Sequence, residues 1–107
     1  MEKLEGPFEI LEMQDQEIIE FHIEKYEVGE MLIHPFYQKS GKVIKALRVH
    51  LSKEEKTFFP FYWDLTAQTL IAQVLPVLKF GNFKDKMFRI QKFGVKPRAR
   101  FSLEVLG

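Results

Sequence analysis

Residues 86–106 read KMFRIQKFGVKPRARFSLEVL, two arms of alternating apolar and polar residues around Gly94-Val95-Lys96-Pro97. A glycine and a proline at the two ends of four residues between such arms spell a β-hairpin with a four-residue loop. That loop sets Phe93 opposite Arg98, Gln91 opposite Arg100, Arg89 opposite Ser102 and Met87 opposite Glu104. The other face then pairs Phe88 with Leu103, Ile90 with Phe101 and Lys92 with Ala99. Loop length and alternation agree: one face is apolar except for Lys92 beside the turn, and the other is polar. A C-terminal hairpin over 86–106 is therefore the anchor of the fold.

Upstream of it lies the one convincing helix. Leu65, Leu70, Ile71, Val74, Leu75 and Leu78 fall on one stripe at helical spacing, which predicts a helix over about 65–79. Asp64 is placed to cap it, Pro76 to kink it or end it near Leu75, and Gly81 to stop it. Before the helix, Thr57 to Trp63 is aromatic and extended, and Pro60 confines it to an edge or a loop. Ser52 to Lys56 suits a tight loop, or one helical turn with Ser52 and Glu55 as a capping box. Val43, Lys45, Leu47, Val49 and Leu51 alternate with Ile44, Ala46, Arg48 and His50, a strand from Lys42 to Leu51 with apolar residues on both faces.

Gln38-Lys39-Ser40-Gly41 and Val28-Gly29-Glu30 read as turns, with Met31 to Tyr37 a short extended piece between them. At the start, Ile19, Phe21 and Ile23 alternate with Glu20, His22 and Glu24. Phe8 to Met13 and Glu17 to Tyr26 thus read as a first hairpin around Gln14-Asp15-Gln16. The whole is an α+β domain, mostly antiparallel sheet, whose helix either covers a sheet face or closes an open barrel. Strand-strand-strand-helix-strand-strand is also the element order of the OB architecture, an analogy of order alone.

With 107 residues and no linker, repeat or low-complexity tract, residues 1–107 form a single domain. A chain of this size buries roughly two-thirds of its unfolded surface, enough for one core without staples. The absence of cysteine excludes disulfides, zinc–thiolate sites and a catalytic thiol. Eleven Phe, three Tyr and one Trp exceed what such a core needs, so some rings belong at a surface, interface or cleft. Met1 to Glu5 is charged and lacks an apolar h-region, and Leu70 to Leu78 is too short and interrupted to span a membrane. A cytoplasmic location without membrane contact is expected. Twelve Glu against three Asp, abundant Lys and a single Asn match the bias of hyperthermophile proteins.

The formal charge of +1 conceals a gradient. Residues 1–30 carry two basic and ten acidic side chains, a net of −8, and residues 31–107 carry fourteen and five, a net of +9. Two readings stand side by side. Either the acidic start lies beside the basic hairpin and neutralises it through cross-strand pairs, or the hairpin faces a polyanion. Its outer face collects Arg89, Gln91, Phe93, Arg98 and Arg100, with Lys96 in the turn and Lys84 and Lys86 just before it. A ring among guanidinium groups gives a stacking surface plus phosphate contacts, the pairing used to bind single strands. Phe93 packed on a helix or a second subunit is the structural alternative.

Phe58-Phe59-Pro60-Phe61-Tyr62-Trp63 reads chiefly as core with alternate rings inward, and otherwise as a cleft wall or dimerisation edge. His22, His34 and His50 fall on different elements at no metal-binding spacing, and no nucleophile elbow, P-loop or paired carboxylates appear. The expectation is a non-enzymatic module without metal or cofactor. It binds single-stranded DNA or RNA through Lys84, Lys86, Arg89, Gln91, Phe93, Lys96, Arg98 and Arg100. The alternative is a protein-interaction or homo-oligomeric structural subunit.

Overall fold

A computed structural model describes residues 3–33, 40–95 and 98–107, the Ile33 side chain excepted. Its elements run β1 (Ile18–His22), β2 (Lys25–Ile33), β3 (Lys42–His50), β4 (Tyr62–Leu65), α1 (Gln68–Phe80), β5 (Met87–Phe93) and β6 (Arg100–Leu106). They make two antiparallel three-stranded sheets, ordered β1-β5-β6 and β2-β3-β4. The domain is α+β, and the sheets do not close into a barrel, so the OB-like order has no OB-like closure.

The C-terminal hairpin is present, with its register displaced by two residues. Phe93 faces Arg100, Lys92 faces Phe101, Ile90 faces Leu103 and Arg89 faces Glu104. The connection is therefore longer than the Gly94–Pro97 loop read from the glycine and proline. Because the displacement is two residues, every side chain keeps its expected face. Phe88 and Ile90 are fully buried, with Phe101, Leu103 and Val105 packed on the same core.

The first hairpin does not form. Ile18–His22 pairs with β5, and after Ile23 and Glu24 the chain enters the other sheet as β2. Ile19 and Phe21 do alternate inward as expected, and Ile23 is fully buried at the crossover. Val28, Gly29 and Glu30 are mid-strand rather than a turn, in a ladder of nine pairs between β2 and β3. Such a ladder outweighs the roughly 0.5–1 kcal/mol that one glycine costs a strand. Gln38 and Lys39 of the next expected turn lie outside the described residues, as do His34 to Tyr37 of the extended piece.

Phe8 to Met13 is not a strand but part of a strap that crosses the back of the β2-β3-β4 sheet. Leu4 N donates to Glu30 O of β2 (3.0 Å), while Asp64 N donates to Glu9 O (2.7 Å) and Leu11 N to Asp64 O (3.1 Å) on β4. Leu4 packs there with Met31 and Ala46. This explains why β3 is apolar on both faces: the strap covers one and the main core the other. Arg48 of β3, 4% exposed, anchors the strap. Its Nε and Nη2 donate to the fully buried Asp64 carboxylate (2.7 and 3.1 Å), and its other donors reach the carbonyls of Glu5 and Pro7. Asp64 also accepts from Glu9 N at 2.9 Å. Burial alone would lower the Arg48 pKa, but the hydrogen bond and charge of Asp64 outweigh it and the net direction is up.

Asp64 is thus an ion-pair partner and not a helix cap. Leu65 closes β4, and α1 starts at Gln68 behind Ala67, whose side chain makes no capping bond. The stripe Leu70, Ile71, Val74, Leu75 and Leu78 is buried as expected, against β6 and, less extensively, β3. Pro76 does not end the helix. It lies on the solvent side, where water can satisfy the carbonyl left without an amide, while Val74, Leu75 and Leu78 hold the flanking turns to the core. Gly81 does stop it, at φ 99°, with its N–H on Leu78 O. Ser52 to Lys56 forms one turn closed on Ser52 O, but the Glu55 carboxylate binds His22 instead of completing a capping box.

Candidate nucleic-acid interface

The solvent face of β1-β5-β6 is built in rows across the sheet, because side chains directly opposite share a face. One row is His22, Met87 and Leu106; the next Glu20, Arg89 and Glu104; then Ile18, Gln91 and Ser102; and at the loop end Phe93 and Arg100. The charges of the middle row cancel. Arg89 Nε donates to Glu20 Oε2 and its Nη1 to Glu104 Oε1, both at 2.7 Å. Those hydrogen bonds and charges, Glu20 first, push the guanidinium pKa up. Arg89 is therefore committed to carboxylates on both sides, and cross-strand neutralisation describes this residue.

It does not describe the loop end. Phe93 is 39% exposed beside Arg100, and Arg98 and Arg100 are exposed with no carboxylate partner among the described residues. Gln91 adjoins them, its Nε2 within 3.5 Å of Gln16 O. The backbone of Gln16 and Glu17 pairs with Lys92 here, and among the described residues Asp15 is the acidic side chain bonded to this end, its Oδ1 accepting from Gly94 N at 2.7 Å. Lys96 lies outside the described residues. Lys84 and Lys86 stand at the opposite end of β5, roughly 20 Å away at about 3.4 Å per residue. Neither has a carboxylate partner among the described residues. The eight expected residues thus divide: Gln91, Phe93, Arg98 and Arg100 come together, Arg89 is sequestered, and Lys84 and Lys86 are remote.

Two features were missed. Ile18, 52% exposed, borders Gln91 on this face; its place just outside the Ile19-Phe21-Ile23 alternation was the available signal. The aromatic run is not chiefly core: Phe58 and Phe59 are 55% and 72% exposed, while Phe61, Tyr62 and Trp63 are half-buried. Lys56 supports that loop from beneath. Its ammonium is buried, donates to the carbonyls of Phe58 and Pro60, and lies 3.7 Å from the Phe58 ring centroid and 4.6 Å from that of Trp63. Burial pushes its pKa below the ordinary lysine value, with Glu9 opposing.

Both described histidines are satisfied by a single glutamate, His22 by Glu55 (2.9 Å) and His50 by Glu27 (2.7 Å). Among the described residues no group of three His, Asp or Glu is placed to hold a metal ion. No helix among them is long and apolar enough to cross a membrane. No family model, curated protein or solved structure matches this chain.

Proposed function

We propose that this chain is a small non-catalytic module of the cytoplasm that binds single-stranded nucleic acid at the loop end of the β5–β6 hairpin. The observation that carries the reading is the exposed Phe93 ring beside Arg100, with Arg98 nearby and no carboxylate on either guanidinium among the described residues. A base stacked on such a ring contributes about 1–3 kcal/mol, and each arginine can neutralise one phosphate. Gln91 and Ser102 in the adjoining row offer hydrogen bonds to base edges. A duplex is not favoured, since α1 carries only Lys79 in its last turn and no basic stripe for a groove.

Fluorescence anisotropy with labelled 15-nucleotide DNA and RNA, single-stranded and duplex, at low and moderate salt tests the proposal. Single strands should bind with a log–log salt slope of roughly −1.4 to −2, as two or three cations release counterions at about 0.7 each. The combined change of Phe93, Arg98 and Arg100 to Ala should abolish binding with the fold intact. No binding of any oligonucleotide at low salt ends the proposal.

A second reading, a protein-interaction or oligomeric subunit, draws on the exposed Phe58 and Phe59 and on Phe80, 85% exposed. Light scattering across concentration checks its self-association form.

A further inference from the structure

The two sheets part at the end where the strap, the start of α1 and the hairpin loop converge, leaving a groove of about 660 Å3. That is within the 300–1,000 Å3 typical of small-molecule sites. Its walls are largely aliphatic, with Ile10, Leu11 and Met13 from the strap, Leu65 and Leu70 opposite, and Phe101 of β6. Lys92 stands in this wall. It is the only charged residue on the core-facing side of β5, following Phe88 and Ile90, and it is half-buried.

One of its three ammonium donors reaches Met13 O at 2.7 Å. The other two have no acceptor among the described residues. A cation held on an apolar wall with donors to spare is complementary to an anion with an apolar body. Thr66 and Thr69 line the same groove, and a threonine hydroxyl can donate to an anionic head. Glu12 also lines it, but is solvent-exposed. Its charge is screened by water, whereas that of Lys92 acts at lower dielectric.

We infer that this groove is a binding site for a small amphipathic carboxylate. The carboxylate rests on Lys92, and an unbranched chain of roughly six to ten carbons lies along the aliphatic walls, within what such a volume accommodates. The inference is independent of the nucleic-acid reading, because it uses the core-facing side of the hairpin and not its solvent side.

The test is a two-dimensional amide NMR titration of the intact chain with hexanoate, octanoate and decanoate, and with octanol and octylamine as uncharged and cationic controls. Shifts should centre on Thr66, Thr69, Lys92 and Phe101. Affinity should rise about fourfold per added methylene until the groove is filled, the transfer value of a buried methylene. Octanoate should bind at least tenfold more tightly than octanol. Lys92→Met should bring octanoate down to the octanol level, Lys92→Arg should retain it, and Ala99→Phe should block all the ligands by filling the groove. Octanol or octylamine binding as tightly as octanoate overturns the inference, whatever the variants do. So do shifts that centre elsewhere, or their absence at millimolar ligand.

Discussion

The Arg48–Asp64 pair permits a sharp test of how the strap is held. Asp64→Leu leaves a 4% exposed guanidinium with the Glu5 and Pro7 carbonyls as its hydrogen-bond acceptors and the Tyr62 ring 4.1 Å away, and Arg48→Met leaves a fully buried carboxylate with Glu9 N as its hydrogen-bond donor. Each is an uncompensated buried charge, which costs about 3–5 kcal/mol. That is a large share of the roughly 5–15 kcal/mol total of a domain. The double variant removes both charges. Its cost reduces to the Glu5 and Pro7 carbonyls and the Glu9 amide losing their partners at about 1 kcal/mol each, offset by apolar packing. We expect about 1–3 kcal/mol for the double and therefore a coupling of at least about 3 kcal/mol. Urea unfolding followed by circular dichroism at neutral pH measures all four species. In Arg48→Met, hydrogen exchange should accelerate at the amides of Leu4, Glu9 and Leu11 before those of Phe88 and Ile90. A double variant as unstable as the two singles summed would refute the reasoning, as would a strap that exchanges no faster than the core.

Other consequences are equally direct. Arg100→Ala should weaken oligonucleotide binding and reduce the salt slope by about 0.7, while Arg89→Ala, already engaged by Glu20 and Glu104, should leave the slope unchanged in the same anisotropy assay. Because burial pushes the Lys56 pKa below 10.5, the folded chain binds fewer protons there than the unfolded chain between the lowered value and 10.5. Stability from this group therefore rises with pH across that alkaline window. Unfolding of wild type against Lys56→Met should show the wild type gaining relative stability as pH rises toward 10.5, and a relative loss would contradict the assignment. Leu4→Ala should cost about 2 kcal/mol, the low end for a buried leucine because its cluster with Met31 and Ala46 is small, read by urea midpoint. Gly81→Ala meets open space yet requires φ near 99°, so thermal unfolding should show a loss of about 1–2 kcal/mol from backbone strain alone.

What was legible in the chain was whatever local pattern controls. Phe88 and Ile90 alternate with Arg89 and Gln91, and the two faces of the hairpin follow whichever pair closes the loop. The stripe from Leu70 to Leu78 defines α1, and the two-faced apolarity of Lys42 to Leu51 marks a strand covered on both sides. What was not legible depended on distant partners. Nothing local says that Ile18–His22 will pair with Met87–Gln91 and not with Phe8–Met13. Nor does anything near Asp64 reveal Arg48 sixteen residues earlier, so the residue reads as a cap. The candidate site was half visible for the same reason: Arg89, Phe93 and Arg100 share a face by parity. That Glu20 and Glu104 close on Arg89 and spare Arg100 depends on which strand lies alongside.

The strap has a consequence beyond the stability of its anchor. It meets β2 at Glu30 and β4 at Asp64, the two outermost strands of one sheet, and there occupies backbone groups that would otherwise await another chain. Exposed ladders of that kind template edge-to-edge growth and aggregation. A single N-terminal segment thus shields a sheet face and guards both flanks of that sheet, so loosening it would expose sticky edges before any strand of the core had melted.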